Sequence, residues 1–416
     1  MKICSLLVLL VCVSCSKNYV YMQTADISLS DMKINDRDLR LSVGFGSGVF
    51  HHVDDEKGVA YFITDRGPNI PIEDAKKIIG LDIEGKSGKI FPVPGFTPTI
   101  YKMKVGEKSY SVLEKITLKD KKGKLVTGLT NPNSEVAYDV KGRVLKNDPN
   151  GLDTEAIVKL KDGTFWISEE YAPSLVHVDK NGKILTRLVP KGRKKELRNT
   201  TLNTQEKLPS ILIKRKVNRG IEGLAVSPDE KFLYFIMQSP LNHPTKDSYR
   251  SSKIVRLFRM DVENEVVDSE YVYILDNADT FLNDKGLGQS EIKISEMVML
   301  SAEELIVLER AENTTKFYKI KVNDAINILH SKWDEIKNSP ALEELDANAL
   351  RSNGVKPFVK TLILDTAKSE FNFPAKLEGV AYLGYGKWVL VNDNDFGIYN
   401  TKTKIIVTDM LNKNLY

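Results

Sequence analysis

The sequence predicts an all-β chain folded as a β-propeller, and three observations carry that prediction. A short apolar strand that opens near a glutamate recurs along the whole body. Each copy is followed by a turn and a second apolar strand. Two further strands read after most copies complete a four-stranded unit, and such units repeated about a ring make a propeller. Five copies are visible, so five or six blades are expected, with an open β-sandwich as the competing arrangement.

The copies follow one another in order. The first is Gly46-Ser47-Gly48-Val49-Phe50 with residues 59–63, where Ser47 takes the place of the glutamate. Glu155, Glu222, Glu296 and Glu378 mark the other four, whose second strands are 164–168, 232–236, 305–308 and 388–391. Third and fourth strands are read at 175–178, 254–258 and 270–275. The glutamates lie about 70–80 residues apart, wider than the about 40–50 of compact propeller repeats, so long insertions are expected. One insertion carries Ala325, Ile326, Leu329, Trp333 and Ile336 at helical spacing, which predicts a helical insertion near 322–350. Another, 191–219, holds Arg193-Lys194-Lys195 and Lys214-Arg215-Lys216 and reads as a solvated basic loop.

The N-terminus reads as an export signal: Lys2, an apolar run from Leu6 to Val11, then small residues. Cys12-Val13-Ser14-Cys15 resembles a bacterial lipobox, with Cys12 where such boxes usually carry an aliphatic residue. The expected organisation is a signal peptide over 1–14, lipidation at Cys15, a tether over 15–38 and one domain over 39–416. The protein is then exported and held by its lipid, at an outer membrane or the cell surface.

All three cysteines fall within the first fifteen residues, which excludes a disulfide framework, a zinc knuckle or a thiol nucleophile in the body. Lys and Arg number 60 against 56 Asp and Glu, a net charge of +4 that gives no support to a nucleic-acid partner. The Gly80–Ser87 segment matches a phosphate-binding loop in form, but no strand leads into it and Asp82 and Glu84 would repel phosphate.

In each hairpin the second strand returns to the start of the first. The glutamates that open the first strands and the residues that close the second strands therefore share one end of the blade. Those closing residues are Asp65-Arg66, Glu169-Glu170-Tyr171, Gln238, Glu309-Arg310 and Asn392-Asp393-Asn394-Asp395. They converge on one mouth of a central channel. Carboxylates crowded there raise one another's pKa unless a cation neutralises them. The donors are all oxygens, so Ca²⁺ is the natural cofactor. Pairing with Arg66, Arg219 and Arg310, locking blades together, is the alternative use of the same glutamates.

The same segments resemble the phytase-like family, also called "esterase-like activity of phytase". The matches are Asp65-Arg66-Gly67, Asn150-Gly151-Leu152-Asp153-Thr154-Glu155, Ile167 to Ser174, Asn218-Arg219-Gly220-Ile221-Glu222-Gly223, Leu308-Glu309-Arg310, and Leu377-Glu378-Gly379 with Asn392-Asp393-Asn394. The resemblance spans about residues 40–400 and implies a β-propeller that hydrolyses phosphoesters or esters. Gln238 departs from it, standing where the family more often shows a glutamate.

The expected activity is hydrolysis of a small anionic or ester substrate. Glu155, Glu222, Arg219, Arg66 and Arg310 form the expected catalytic set, with arginines clamping phosphoryl oxygens. Asp65, Tyr171, Asn218 and Asn392 are the expected substrate contacts. Glu169, Glu296, Glu309, Glu378 and Asp393 are the expected metal ligands. The rival reading is a non-catalytic surface propeller that binds a ligand or a host protein, and a lactonase-like propeller is a third.

Overall fold

The computed structural model of the chain describes residues 19–415 except Glu84. The signal segment 1–14 and the lipidation site Cys15 lie outside the described residues.

The chain is nearly all β. Five sheets dominate. The first holds Gly48–Phe50, Val59–Ile63, Thr99–Val105 and Tyr110–Thr117. The second holds Thr154–Lys159, Phe165–Glu169, Ser174–Val178 and Ile184–Pro190, extended by the parallel strand Thr204–Leu208. The third is Ile221–Val226, Phe232–Met237, Ile254–Asp261 and Val266–Ile274. The fourth is Lys293–Met299, Glu304–Arg310, Thr315–Lys321 and Thr361–Asp365. The fifth is Leu377–Gly384, Lys387–Asn392, Thr403–Thr408 and, from the other end of the chain, Val20–Ala25.

The first strands neighbour one another in cyclic order, the fifth returning to the first. Apolar cores fill the space between sheets in the same order. Ile63 and Ile100 meet Ile157 and Val176 between the first and second sheets. Trp166, Leu224, Phe235, Met297 and Val307 continue the core through the third to the fourth. Leu308 and Phe317 meet Val380 and Leu390, and Val391 and Ile405 meet Phe45 and Phe62. Sheets covered on both faces need apolar residues at successive positions, and the run Ile221–Val226 is buried throughout. The arrangement is propeller-like.

Three expectations are corrected. The tether does not extend to residue 38. Val20–Ala25 pairs antiparallel with Thr403–Thr408 as the outermost strand of the fifth sheet, and Ser28–Ile34 forms a hairpin with Arg37–Ser42. The insertion near 322–350 is not a continuous helix. It forms 3-10 turns at Val322–Asp324, Lys332–Asp334 and Leu342–Glu344 before a short α-helix, Ala347–Ser352. Ile328, Trp333 and Leu342 pack on Ile254 and Val272 of the third sheet, while Ala325, Leu329 and Ile336 lie half-buried against a different part of the core and Ile326 is exposed, so the apolar residues do not share one helical face. Nor is the basic insertion merely solvated. Arg193 and Arg215 are buried, donating to the carbonyls of Pro132, Asn133 and Tyr171.

Candidate active site at the channel mouth

Strand pairing decides which side chains reach the mouth. Successive residues of a regular strand face opposite ways, and one extra residue re-aims the side chains beyond it. Four first strands carry such a bulge at their start, between Thr154 and Ile157, Ile221 and Gly223, Ile294 and Glu296, and Leu377 and Gly379. The extra residue is Glu222 in the third sheet, Ser295 in the fourth and Glu378 in the fifth. Glu155 stands at the corresponding place in the second.

Across each hairpin the partners repeat. The amides of Glu170, Gln238 and Asp393 donate to the carbonyls of Asp153, Gly220 and Lys376, each at 2.9 Å. Lys293 stands opposite Arg310 in the same way. The first strands therefore contribute Glu155, Glu222, Ser295 and Glu378. The ends of the second strands contribute Glu170, Gln238, Arg310 and Asp393, with Asp65 at the equivalent point of the first sheet. Asp153, Lys293 and Lys376 stand two residues before the bulge position.

Residues one step out of this phase serve other ends. Glu169 is fully buried and accepts from Arg187 at 2.8 Å, Ser174 at 2.6 Å and the Tyr171 and Ala172 amides. Glu309 accepts from Tyr273, the Asp276 amide and Lys360. Asn392 accepts from the Lys404 amide at 2.6 Å and donates to the Asp393 carbonyl. These three anchor strands, so Glu169 and Glu309 are engaged away from the expected metal and Asn392 away from the expected substrate. Glu296 follows the bulge, in the place held elsewhere by Ala156, Gly223 and Gly379. It is buried, and its Oε1 accepts from the Leu224 and Met297 amides at 3.2 and 3.0 Å. A Cβ on Gly48 would lie 3.1 Å from its Oε2. The Glu296 side chain thus lies across the channel between first strands, out of phase with the other three glutamates.

Two arginines are already committed. Arg66 Nη1 bonds Asn218 Oδ1 at 2.7 Å, Glu135, and Tyr171 Oη at 3.4 Å, and lies 3.2 Å from Asp153 Oδ2. Its guanidinium stacks over the buried Tyr171 ring. Asn218 and Tyr171 therefore hold Arg66. Arg310 donates to Ser295 at 2.8 Å, to the Ala311 carbonyl and to Glu378. Arg219 differs: it makes no hydrogen bond or ion pair with the described residues, and its Nη1 is buried without a partner.

Asp153, Glu155 and Glu170 offer carboxylate oxygens that all lie within 4.8 Å of one another. Burial drives the Glu155 carboxyl well above the usual carboxylate range, and Glu222, Asp153 and Glu170 push it further. Asp153 and Glu170 are raised by burial against the pull of Arg66, and Glu170 Oε1 has no hydrogen-bond donor. Three buried oxygen donors held close at a shared cost suit a hard cation. Glu222 is raised by burial, Glu170 and Glu378, while Gln238 Nε2 donates to its Oε2 at 2.7 Å. Asp65 is pushed up to about 7 by burial, with Glu378 and Asp395 adding. Asp393 rises through burial, Asp395 and Glu378.

The expected catalytic glutamates Glu155 and Glu222 thus share the mouth with Asp65, Glu378, Asp393 and the three arginines. Asp153, Glu170 and Lys293 were missing from the expected set. The first two have a signal in the sequence: Asp153 precedes Glu155 by two residues, and Glu170 closes a second strand as Asp65 and Asp393 do.

Residues 44–396 match the family described as "Phytase-like: Esterase-like activity of phytase". A relative from Arthroderma benhamiae, described as an uncharacterized secreted protein, is 25% identical over 292 residues. That match takes in 62% of this chain and 55% of the relative, so the chain spans about half the length of the curated relative it matches. Among solved structures, a luciferin-regenerating enzyme aligns with TM-score 0.35 and 9% identity over 94% of this chain and 95% of its own. A streptogramin B lyase aligns with TM-score 0.31 and 10% identity over 94% and 97%. Among the described residues, no helix is long and apolar enough to cross a membrane.

Proposed function

The chain belongs to the phytase-like family, and on that premise we propose that it is an exported, lipid-anchored hydrolase of phosphate esters or related esters. Its five sheets are the blades of a five-bladed propeller, and its reaction takes place at the carboxylate mouth. The observation that carries this reading is the Asp153–Glu155–Glu170 cluster together with Arg219, whose charge acts on Glu170 and whose Nη1 is buried and unpartnered among the described residues.

Asp153, Glu155 and Glu170 would hold Ca²⁺. When bound, the ion supplies charge neutralisation for the cluster and polarises an oxygen ligand. The chain's own residues do the rest. Glu222, a carboxyl held by Gln238, takes a proton from the attacking water. Arg219 offers its free donors to the non-bridging oxygens of the substrate. Arg66 and Arg310 position carboxylates: Arg66 holds Asp153, and Arg310 holds Glu378.

The test is turnover of phosphomonoesters, phosphodiesters, phytate and carboxylic esters by the mature protein, with Ca²⁺ and again with chelator. Calcium-dependent hydrolysis of one class, lost at least 100-fold in Arg219→Met and Glu222→Gln variants that still fold, is expected. A folded, calcium-bound protein that turns over none of them would instead favour a ligand-binding platform.

A further inference from the structure

Lys293 is a second cation of the mouth without a partner. The positions equivalent to it in two other sheets are charged and paired: Asp153 lies against Arg66 and Lys376 bonds Asp395 at 2.6 Å. The Lys293 side chain forms no hydrogen bond or ion pair with the described residues. It is partly buried and stands beside Arg310 in the strand ladder. The charges acting on it are Arg219, Arg310, Glu222 and Glu378, and it acts in turn on Glu170.

We propose that Lys293 is the acid of the mouth: its ammonium holds the phosphate ester beside Arg219 and protonates the departing oxygen. This rests on the hydrolase reading above. Water oxygen bonds to phosphorus and gives a proton to Glu222. The bond from phosphorus to the ester oxygen breaks, and that oxygen leaves with the bonding pair and a proton from the Lys293 ammonium. The Glu222 proton then returns to the amine through water, so one water is consumed and the protein is unchanged.

An acid must release its proton near the working pH. Burial, with Arg219 and Arg310 beside it, lowers Lys293 to about 7 against the opposing pull of Glu378 and Glu222. An arginine in its place keeps the charge but cannot give up the proton.

Two measurements test the proposal. Pyridoxal 5′-phosphate, an anionic aldehyde, followed by borohydride should label Lys293 at pH 7 at least 10-fold faster than exposed lysines such as Lys121, and inorganic phosphate should slow that labelling. Kinetically, Lys293→Arg should lower kcat at least 10-fold, leave KM within about 3-fold and remove the alkaline limb of the pH profile, while Lys293→Met should raise KM as well. Labelling no faster than at Lys121, or an unchanged pH profile in Lys293→Arg, overturns this proposal alone. Absence of turnover in the unaltered protein overturns the proton transfer together with the hydrolase reading.

Discussion

Adjacent residues at the end of one strand do opposite work, and Glu169 with Glu170 shows it most sharply. Glu169 is sealed between Arg187, Ser174 and two amides, and both charges of the pair are wholly buried. Removing one partner leaves the other charge stranded, so Glu169→Gln should destabilise the protein by about 3–5 kcal/mol in denaturant titration. Glu170 has a buried oxygen without a donor among the described residues, and carboxylate oxygens of Asp153 and Glu155 lie within 4.8 Å of its own. Glu170→Gln removes repulsion, so stability in chelator should hold or rise while calcium affinity, read by isothermal titration, falls at least 10-fold. Equal loss of stability in both variants would show that the strand-end phase has been misread. The sequence alone put both residues at the mouth, because a run of acidic residues shows where a strand ends but not which way each side chain turns. Lys293 was hidden for a related reason: Glu296 looked like the repeat's glutamate, and only the strand pairing shows that Ser295 holds that place.

At the level of elements, the first strands were legible because both of their faces are buried and the residues after the opening glutamate are largely apolar. The strand Val20–Ala25 was not. It is a six-residue edge strand with alternate residues exposed, and its partner strand lies at the far end of the chain, so no local pattern announces the pairing. The bulges were equally hidden, since an extra residue leaves no mark on hydrophobic pattern. Close approach at them does leave one. A Cβ on Gly220 would lie 2.2 Å from the Glu170 carbonyl oxygen, so only glycine lets the third sheet's first strand pass beneath the second strand of its neighbour. Gly220→Ala should cost about 1–3 kcal/mol of stability. Because the displaced backbone carries Glu170, it should also weaken calcium binding, which a purely structural defect elsewhere would leave intact. Calorimetry with and without calcium separates the two effects.

For the whole molecule, the mouth makes stability depend on pH in an unusual direction. Carboxylates paired in the native state normally sit low and lose their contribution as acid is added. Here Asp65, Asp153, Glu155, Glu170, Glu222 and Asp393 are all raised, each with burial as the leading cause. A carboxyl raised in the folded state binds its proton more tightly there than in the unfolded chain. Its stabilising contribution is therefore complete below the unfolded pKa, near 4, and is lost as pH climbs through the folded value. For Asp65 that value is about 7, so the window runs from about pH 4 to 7. In chelator, Tm should fall on the order of 5 °C between pH 5.5 and 8. On the calcium reading the ion would bind the deprotonated cluster of the folded state, so it should stabilise most at the alkaline end and flatten the curve. Glu170→Gln should reduce both the slope and the calcium effect, whereas Lys121→Ala, on an exposed turn, should change neither. A Tm that rises with pH in chelator would mean that the mouth carboxylates are neutralised by the arginines and lysines already present. The cluster would then be a lock between sheets and not a seat for a cation.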